Sequence, residues 1–298
     1  MSTGKAQTSS RATMWVLVVA SVASLMAALD AMVVSTALPT IRLHLGASIE
    51  QLEWTVNAYN LTLAVLLLPA AALGDRFGRR RMFTAGLAQF VVASAACALA
   101  PDAGSLIAAR AVQGAGAALL IPNALALVSA AFPAERRGSA LGSLQGITGL
   151  AVVAGPVIGG AVAQGIAWEW IFWLNVPIGL AAIPLALVRI EESFGADTAL
   201  DIGGFALVTG GALGVVWGLV RGNSAGWESQ EVVVAVAVGA ALLVAFVAWE
   251  LRAREPMVPM RFFRSRSFSA ATRGCSSSSR PCSARFSSSP SSCRPGSA

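Results

Sequence analysis

Eight stretches of this chain run for eighteen residues or more without a charged side chain, and that pattern constrains its folding more than any other property. They are Ala12–Leu29, which continues past a single Asp30 to Ile41, then Trp54–Gly74, Met82–Pro101, Ala111–Ala134, Gly138–Trp168, Trp170–Val188, Ile202–Val220 and Val232–Trp249. Crossing about 30 Å of hydrocarbon takes about 20 mostly apolar residues in a helix. One such run is compatible with a buried core helix of a soluble protein; eight in succession leave nothing to face water. Composition agrees: 56% of the 298 residues are hydrophobic and 12% charged, where a soluble domain carries roughly 45–50% and about 25%. A soluble enzyme is therefore excluded. A cleavable signal peptide is the alternative for the first run, but no small-residue cleavage site leads from it into a polar mature domain. It reads as a retained helix, and the lipid bilayer is the first partner the chain implies.

The formal charge of +6 does not point to nucleic acid, whose binders gather basic residues on one face of a packed polar domain. Here the basic residues sit between the uncharged runs, as Lys and Arg do in cytoplasmic loops. With the N-terminus inside, fourteen fall on the inner side: Lys5, Arg11, Arg76, Arg79, Arg80, Arg81, Arg136, Arg137, Arg189, Arg252, Arg254, Arg261, Arg264 and Arg266. Only Arg42 and Arg221 fall outside. Trp54, Trp168, Trp170 and Trp227 stand at or near the outer ends of their runs, where amphipathic rings settle. Both patterns predict a cytoplasmic N-terminus.

Two ions fall inside the expected spans, Asp30 within the continued first run and Arg110 in the fourth helix if it begins before the strictly uncharged run. Asp30 lies about eight residues from an outer end near Leu38, and Arg110 about six from an outer end near Gly104, so they share a depth. An unpaired carboxylate there costs several kcal/mol. Intramembrane ionisable groups usually line a substrate or proton path; the alternatives are a fixed ion pair locking two helices, or an arginine reaching to the headgroups. Asn57, Tyr59, Asn60 and Thr62 on the second run are candidates to line the same cavity, or to serve as interhelical glue.

The first inner loop, with Gly74, Asp75, Arg76, Gly78, Arg79 and Arg80, holds more than a stop-transfer cluster requires. Gly78 is free to take a positive φ, and Asp75 is placed to accept from a helix N-terminus or to pair with an arginine across the bundle. In the fifth run, Gly155, Pro156, Gly159 and Gly160 combine close backbone approach with a helix-bending proline. His44, the single histidine, reads as a solvated outer-loop residue. No nucleophile or phosphate-binding motif accompanies it, so enzymatic activity, cofactors and a metal site are not expected.

In this order the blocks resemble the major facilitator superfamily, and within it the fourteen-helix drug:proton antiporter branch. Leu29–Pro39 is similar to that branch's first-helix motif, with Met32 and Ser35 where Thr and Asn are usual. Leu73–Arg80 resembles the gating loop, with Ala71 in place of its leading glycine. Arg110, Gln113, Gly114, Gly116, Ala117 and Pro122 resemble the fourth-helix motif, and Gly155, Pro156, Gly159 and Gly160 the antiporter motif. Trp168–Gly179 is similar to the junction of helices five and six, with Glu169 where an arginine is usual. The resemblance implies an all-α membrane protein of a six-helix N-terminal lobe plus two further transmembrane helices, with the C-terminal lobe missing. It also implies proton-coupled efflux of an amphipathic small molecule across a bacterial plasma membrane. Asp30 and Arg110 then couple protons to substrate, and Gln113 joins the cavity.

The expected organisation is a cytoplasmic N-terminus (1–13), the lobe (14–190), a short loop with two insert helices (191–252), a cytoplasmic segment (253–272) and a tail (273–298). Where a ninth helix is due, that tail has eleven serines, four arginines, no acid and three of the four cysteines. Such a composition neither buries a core nor spans a membrane. Cys275, Cys282 and Cys293 match no metal-ligand spacing. Efflux by this chain alone, or a non-transporting fragment, are the two functional expectations. A shifted reading frame accounts for the tail, a genuine low-complexity segment being the alternative. Ser (as UCN), Cys and Phe codons begin with U, and a central U encodes only apolar residues. Sequencing the gene past Thr272 is expected to give an apolar helix in the frame two bases on; a polar or promptly terminated frame would refute it.

Overall fold

Lipid offers no partner to a free N–H or C=O, so an uncharged run of this length satisfies its backbone by forming a helix. The computed structural model describes residues 3–165, 167–195 and 202–252, and among them there is no strand. The helices are α1 (Thr3–Leu45), α2 (Ile49–Phe77), α3 (Arg79–Ala98), α4 (Ala103–Ala131), α5 (Ala134–Gly165), α6 (Trp170–Trp173), α7 (Asn175–Arg189), α8 (Ile202–Ala225) and α9 (Gln230–Arg252). Eight spans among them are long and apolar enough to cross a membrane, α6 and α7 together making one. The segment 253–272 and the tail lie outside the described residues, and with them Arg254, Arg261, Arg264, Arg266, Cys275, Cys282 and Cys293.

Local chemistry sets the ends. Ser48 and Gln51 form a capping box at the start of α2, and Asp102 and Ser105 another at the start of α4. The run Trp170–Val188 is split by a turn at Leu174. Pro177 then falls in the first turn of α7, where a missing N–H deprives no carbonyl. α1 continues through Pro39 to Leu45, so Asp30 lies about 22 Å of helix from that end, deeper than an end near Leu38 suggests. Trp168 lies in the turn between α5 and α6, near the end of its run, with its ring buried and meeting Phe172 edge-on at 6.2 Å.

Two apolar clusters fill the six-helix lobe. One joins Val16–Ala27 of α1 to Phe83–Phe90 of α3, Ala117–Val128 of α4 and Ala182–Ile190 at the end of α7. The other joins Val33–Ile41 to Leu52, Cys97, Leu106 and Phe172. Along each of α1, α3 and α4 the residues between the clusters include a buried polar side chain: Asp30, Ser94, and Arg110 with Gln113. The lobe thus carries one polar layer between two apolar ones.

The hairpin α8–α9 is closed by glycines at close approach, notably Gly214 and Gly239. It meets α2, where Arg221 pairs with Glu50 at 2.6 Å.

Gly114 sets the α2–α4 distance, because a Cβ there would run into the carbonyl oxygen of Tyr59. Gly114→Ala is expected to lower stability by about 1–3 kcal/mol in reversible unfolding from mixed micelles. Gly138→Ala, which meets nothing within 4 Å, is the control expected to stay at the wild-type midpoint.

Candidate functional site

The polar layer closes around one ion pair. Arg110 of α4 and Asp30 of α1 are both buried, and Arg110 Nη1 donates to Asp30 Oδ2. Asp30 Oδ1 accepts from Gln113 Nε2 and from Asn175 Nδ2, each at 2.9 Å. Both amides also donate to Ser94 Oγ, at 2.7 and 3.3 Å. Arg110 Nη1 donates further to Gln113 Oε1 at 2.7 Å, and Nε to the Thr55 carbonyl at 3.2 Å. The guanidinium lies 4.2 Å from the Tyr59 ring centroid and 5.9 Å from that of Phe172, a cation–π arrangement that is strongest when desolvated. Tyr59 itself donates to the Ala27 carbonyl at 3.3 Å.

In this geometry both carboxylate oxygens are engaged: one takes the arginine, the other two amides.

Asp30, Arg110, Gln113 and Tyr59 are thus brought together. Asn57 is half-buried, Asn60 is exposed, and Thr62 is occupied by the Ala58 carbonyl at 2.8 Å; none of the three joins the network. Thr55, Ser94 and Asn175 were not singled out in the sequence. Asn175 carried a legible signal, an amide at the start of a helix just ahead of a proline. Ser94 sits among small residues where nothing distinguishes it.

At the arginine-rich end, Gly78 has φ +105° and separates α2 from α3. Asp75 pairs with Arg79 four residues on, at 2.7 Å, and among the described residues its carboxylate meets neither a helix N-terminus nor an arginine across the bundle. The carboxylate at the α3 N-terminus is Glu192, whose Oε1 accepts from the Arg80 amide at 2.8 Å. The chain after α7 straps the loop: Arg79 N donates to Ser193 O and Gly195 N to Asp75 O, each at 2.9 Å. Arg80 Nη1 in turn donates to the Leu187 and Ile190 carbonyls, at 3.3 and 3.1 Å. Arg76 stays exposed over Phe77, and Gly74 packs against Asn123.

On α5, Gly155 and Gly159 face α1, where a Cβ would meet Met32 and Thr36 respectively. Pro156 is exposed, and Gly160 faces open space. Among the described residues no three His, Cys, Asp or Glu side chains gather as metal ligands would.

The sequence model of the Major Facilitator Superfamily matches residues 20–253. The chain is 38% identical over 258 residues to the tetracenomycin C resistance and export protein of Streptomyces glaucescens, a match over 86% of this chain and 48% of that protein. It is 37% identical over 248 residues to the multidrug resistance protein Stp of Mycobacterium tuberculosis, covering 82% of this chain and 46% of Stp. The chain spans about half the length of the curated relatives it matches. Its fold is similar to that of the crystallised peptide transporter POT, with TM-score 0.58 and 14% identity over 80% of this chain and 52% of that one.

Removing one member of a buried ion pair strands the other, at a cost of about 3–5 kcal/mol. Arg110→Ala and Asp30→Ala are each expected to destabilise the lobe by that order. The double variant is expected to lose less than the two together, by about 0.5–3 kcal/mol of coupling, read from unfolding midpoints in mixed micelles.

Proposed function

The chain belongs to the major facilitator superfamily, and from that premise we propose that it serves proton-coupled efflux of amphipathic small molecules, with Asp30 and Arg110 as the coupling pair. The observation that carries this reading is the buried ion pair itself. A fixed structural lock needs two opposite charges; a switch needs a carboxylate whose protonation releases a cation, and the contact between Asp30 and Arg110 supports that reading. The amides of Gln113 and Asn175 keep the carboxylate in place while Arg110 changes partner, and Tyr59 gives the released guanidinium a π face. The α2–α3 loop, with Gly74, Asp75, Arg76, Gly78, Arg79 and Arg80, acts as the gate. Gly155 and Gly159 let α5 slide against α1, with Pro156 and Gly160 on the outward side of the same motif. Asn57 and Asn60 lie on surface that a substrate can reach.

The relatives' names, resistance and export, support the transport direction. The fourteen-to-two division of basic residues supports a cytoplasmic N-terminus, and the bacterial source of those relatives supports a bacterial plasma membrane. The chain is an integral membrane protein, and transport, not catalysis, is the reading that family membership favours.

Alternating access moves two lobes about a midplane site. The described residues supply one six-helix lobe and a two-helix hairpin, and the match covers about half of each relative. That length favours a second reading, a membrane fragment with no transport of its own. Expression of this chain alone in an efflux-deficient host separates the two. Under the transport reading, resistance to a panel of lipophilic compounds rises above an empty vector. Asp30→Asn and Arg110→Ala each then reduce pH-driven efflux about 5- to 150-fold, the usual span of coupling between two sites. Resistance no higher than the vector establishes the fragment reading; transport unchanged in both variants removes the pair from the mechanism.

A further inference from the structure

Every side chain that hydrogen-bonds the Asp30 carboxylate among the described residues is a donor. Arg110 Nη1 reaches Oδ2, and the Gln113 and Asn175 amides reach Oδ1. That arrangement suits the ionised form, which only accepts. A protonated carboxyl carries an O–H and needs an acceptor, and an unmade bond of that kind is costly when buried. Ser94 has the same need: its Oγ accepts from both amides, at 2.7 and 3.3 Å, while its own O–H meets no acceptor among the described residues.

The two amides differ in what their carbonyls do. Gln113 Oε1 accepts from Arg110 Nη1 at 2.7 Å and from Cys97 Sγ at 3.7 Å, so turning that amide breaks two further contacts. Asn175 is buried, yet its Oδ1 accepts from no described residue. A half-turn about its last side-chain bond exchanges Oδ1 with Nδ2. The carbonyl then stands 2.9 Å from Asp30 Oδ1 and 3.3 Å from Ser94 Oγ, facing both O–H groups that lack an acceptor. We propose that Asn175 is the positioning residue that fits this site to both charge states of Asp30: an amide donor to the carboxylate, and a carbonyl acceptor to the protonated acid. The proton is exchanged with water, bonds to Asp30 Oδ1 and leaves from it; otherwise only hydrogen bonds change. Gln113 stays in place and holds Arg110 through Oε1. The proposal deepens the coupling reading and rests on it, since Asp30 must take up a proton. The other titratable or charged side chains around the carboxylate are Tyr59 of α2, Cys97 of α3 and Arg110 of α4. The rest of α1 between Arg11 and Arg42, α5 beyond Arg137, α6, and α7 before Arg189 carry none.

The test is infrared difference spectroscopy between neutral and acidic pH on the full chain in lipid nanodiscs, with asparagine carrying carbon-13 at the side-chain carbonyl. Acidification is expected to produce a protonated-carboxyl band that is missing in Asp30→Asn. With it, a label-sensitive amide carbonyl band is expected to move to lower wavenumber, because the turned carbonyl accepts two hydrogen bonds. An amide that goes on donating loses its polarising carboxylate instead, and its carbonyl band moves up. Asn175→Gln keeps an amide at the position but takes it out of the labelled set, so the labelled shift is expected to vanish; its persistence assigns it to another asparagine and overturns the proposal. Ser94→Ala removes one of the two donors and is expected to reduce the downward shift, an undiminished shift again counting against it. An Asp30 carboxyl band with an upward or absent amide shift overturns the role of Asn175 and leaves the coupling reading intact. No Asp30 carboxyl band at any pH at which the chain stays folded overturns both.

Discussion

A charge pair inside an apolar bundle is the constraint on which the rest of this lobe depends. Neither Asp30 nor Arg110 reaches solvent, and buried ions persist only when paired and fully hydrogen-bonded. Satisfying them draws on Thr55 and Tyr59 of α2, Ser94 of α3, Gln113 of α4 and Asn175 of α7. A register slip in any of these helices would leave a polar atom unmatched. The two apolar clusters gain from burial whichever way the helices slide, whereas the polar layer between them tolerates one arrangement. Gly114 belongs to the same requirement, since only its missing side chain lets α4 approach Tyr59 closely enough for the guanidinium to lie over the ring.

Much of this was legible in the sequence because lipid removes choices. Eight uncharged runs yielded eight candidate spans, and Asp30 and Arg110 stood out because ions inside such runs are expensive. Gln113 and Tyr59 were legible as polar residues on those helices. Ser94 and Thr55 were not, because a small hydroxyl residue in a membrane helix serves packing as readily as polar contact. Thr55 moreover contributes its carbonyl, which every residue has. The sequence shows that Trp168 stands near a helix end and not which way its ring turns. Its ring turns inward against Phe172. Glu192 escaped notice for a related reason. Its role at the α3 N-terminus depends on a contact across 112 positions of sequence, which no local pattern encodes.

The element that joins the two polar regions is α7. Asn175, its first residue, holds the Asp30 carboxylate, and at its far end the Leu187 and Ile190 carbonyls hold Arg80 of the α2–α3 loop. Its fifteen residues span about 22 Å as a helix, so one element touches both regions, with Pro184 removing one backbone hydrogen bond along the way. Gly78 makes the turn of the loop that α7 touches. Its φ of +105° lies where L side chains are strained, and a Cβ there would strike the Glu192 carboxyl. The loop is consequently pinned on both sides, by Asp75–Arg79 within itself and by the strap through Glu192, Ser193 and Gly195 from the end of α7. Separating α2 from α3 at this end requires breaking contacts made by α7, and α7 cannot shift far without disturbing the donor that Asn175 gives to Asp30. The α2–α3 loop and the ion pair are joined through contiguous contacts that each have an unambiguous physical origin.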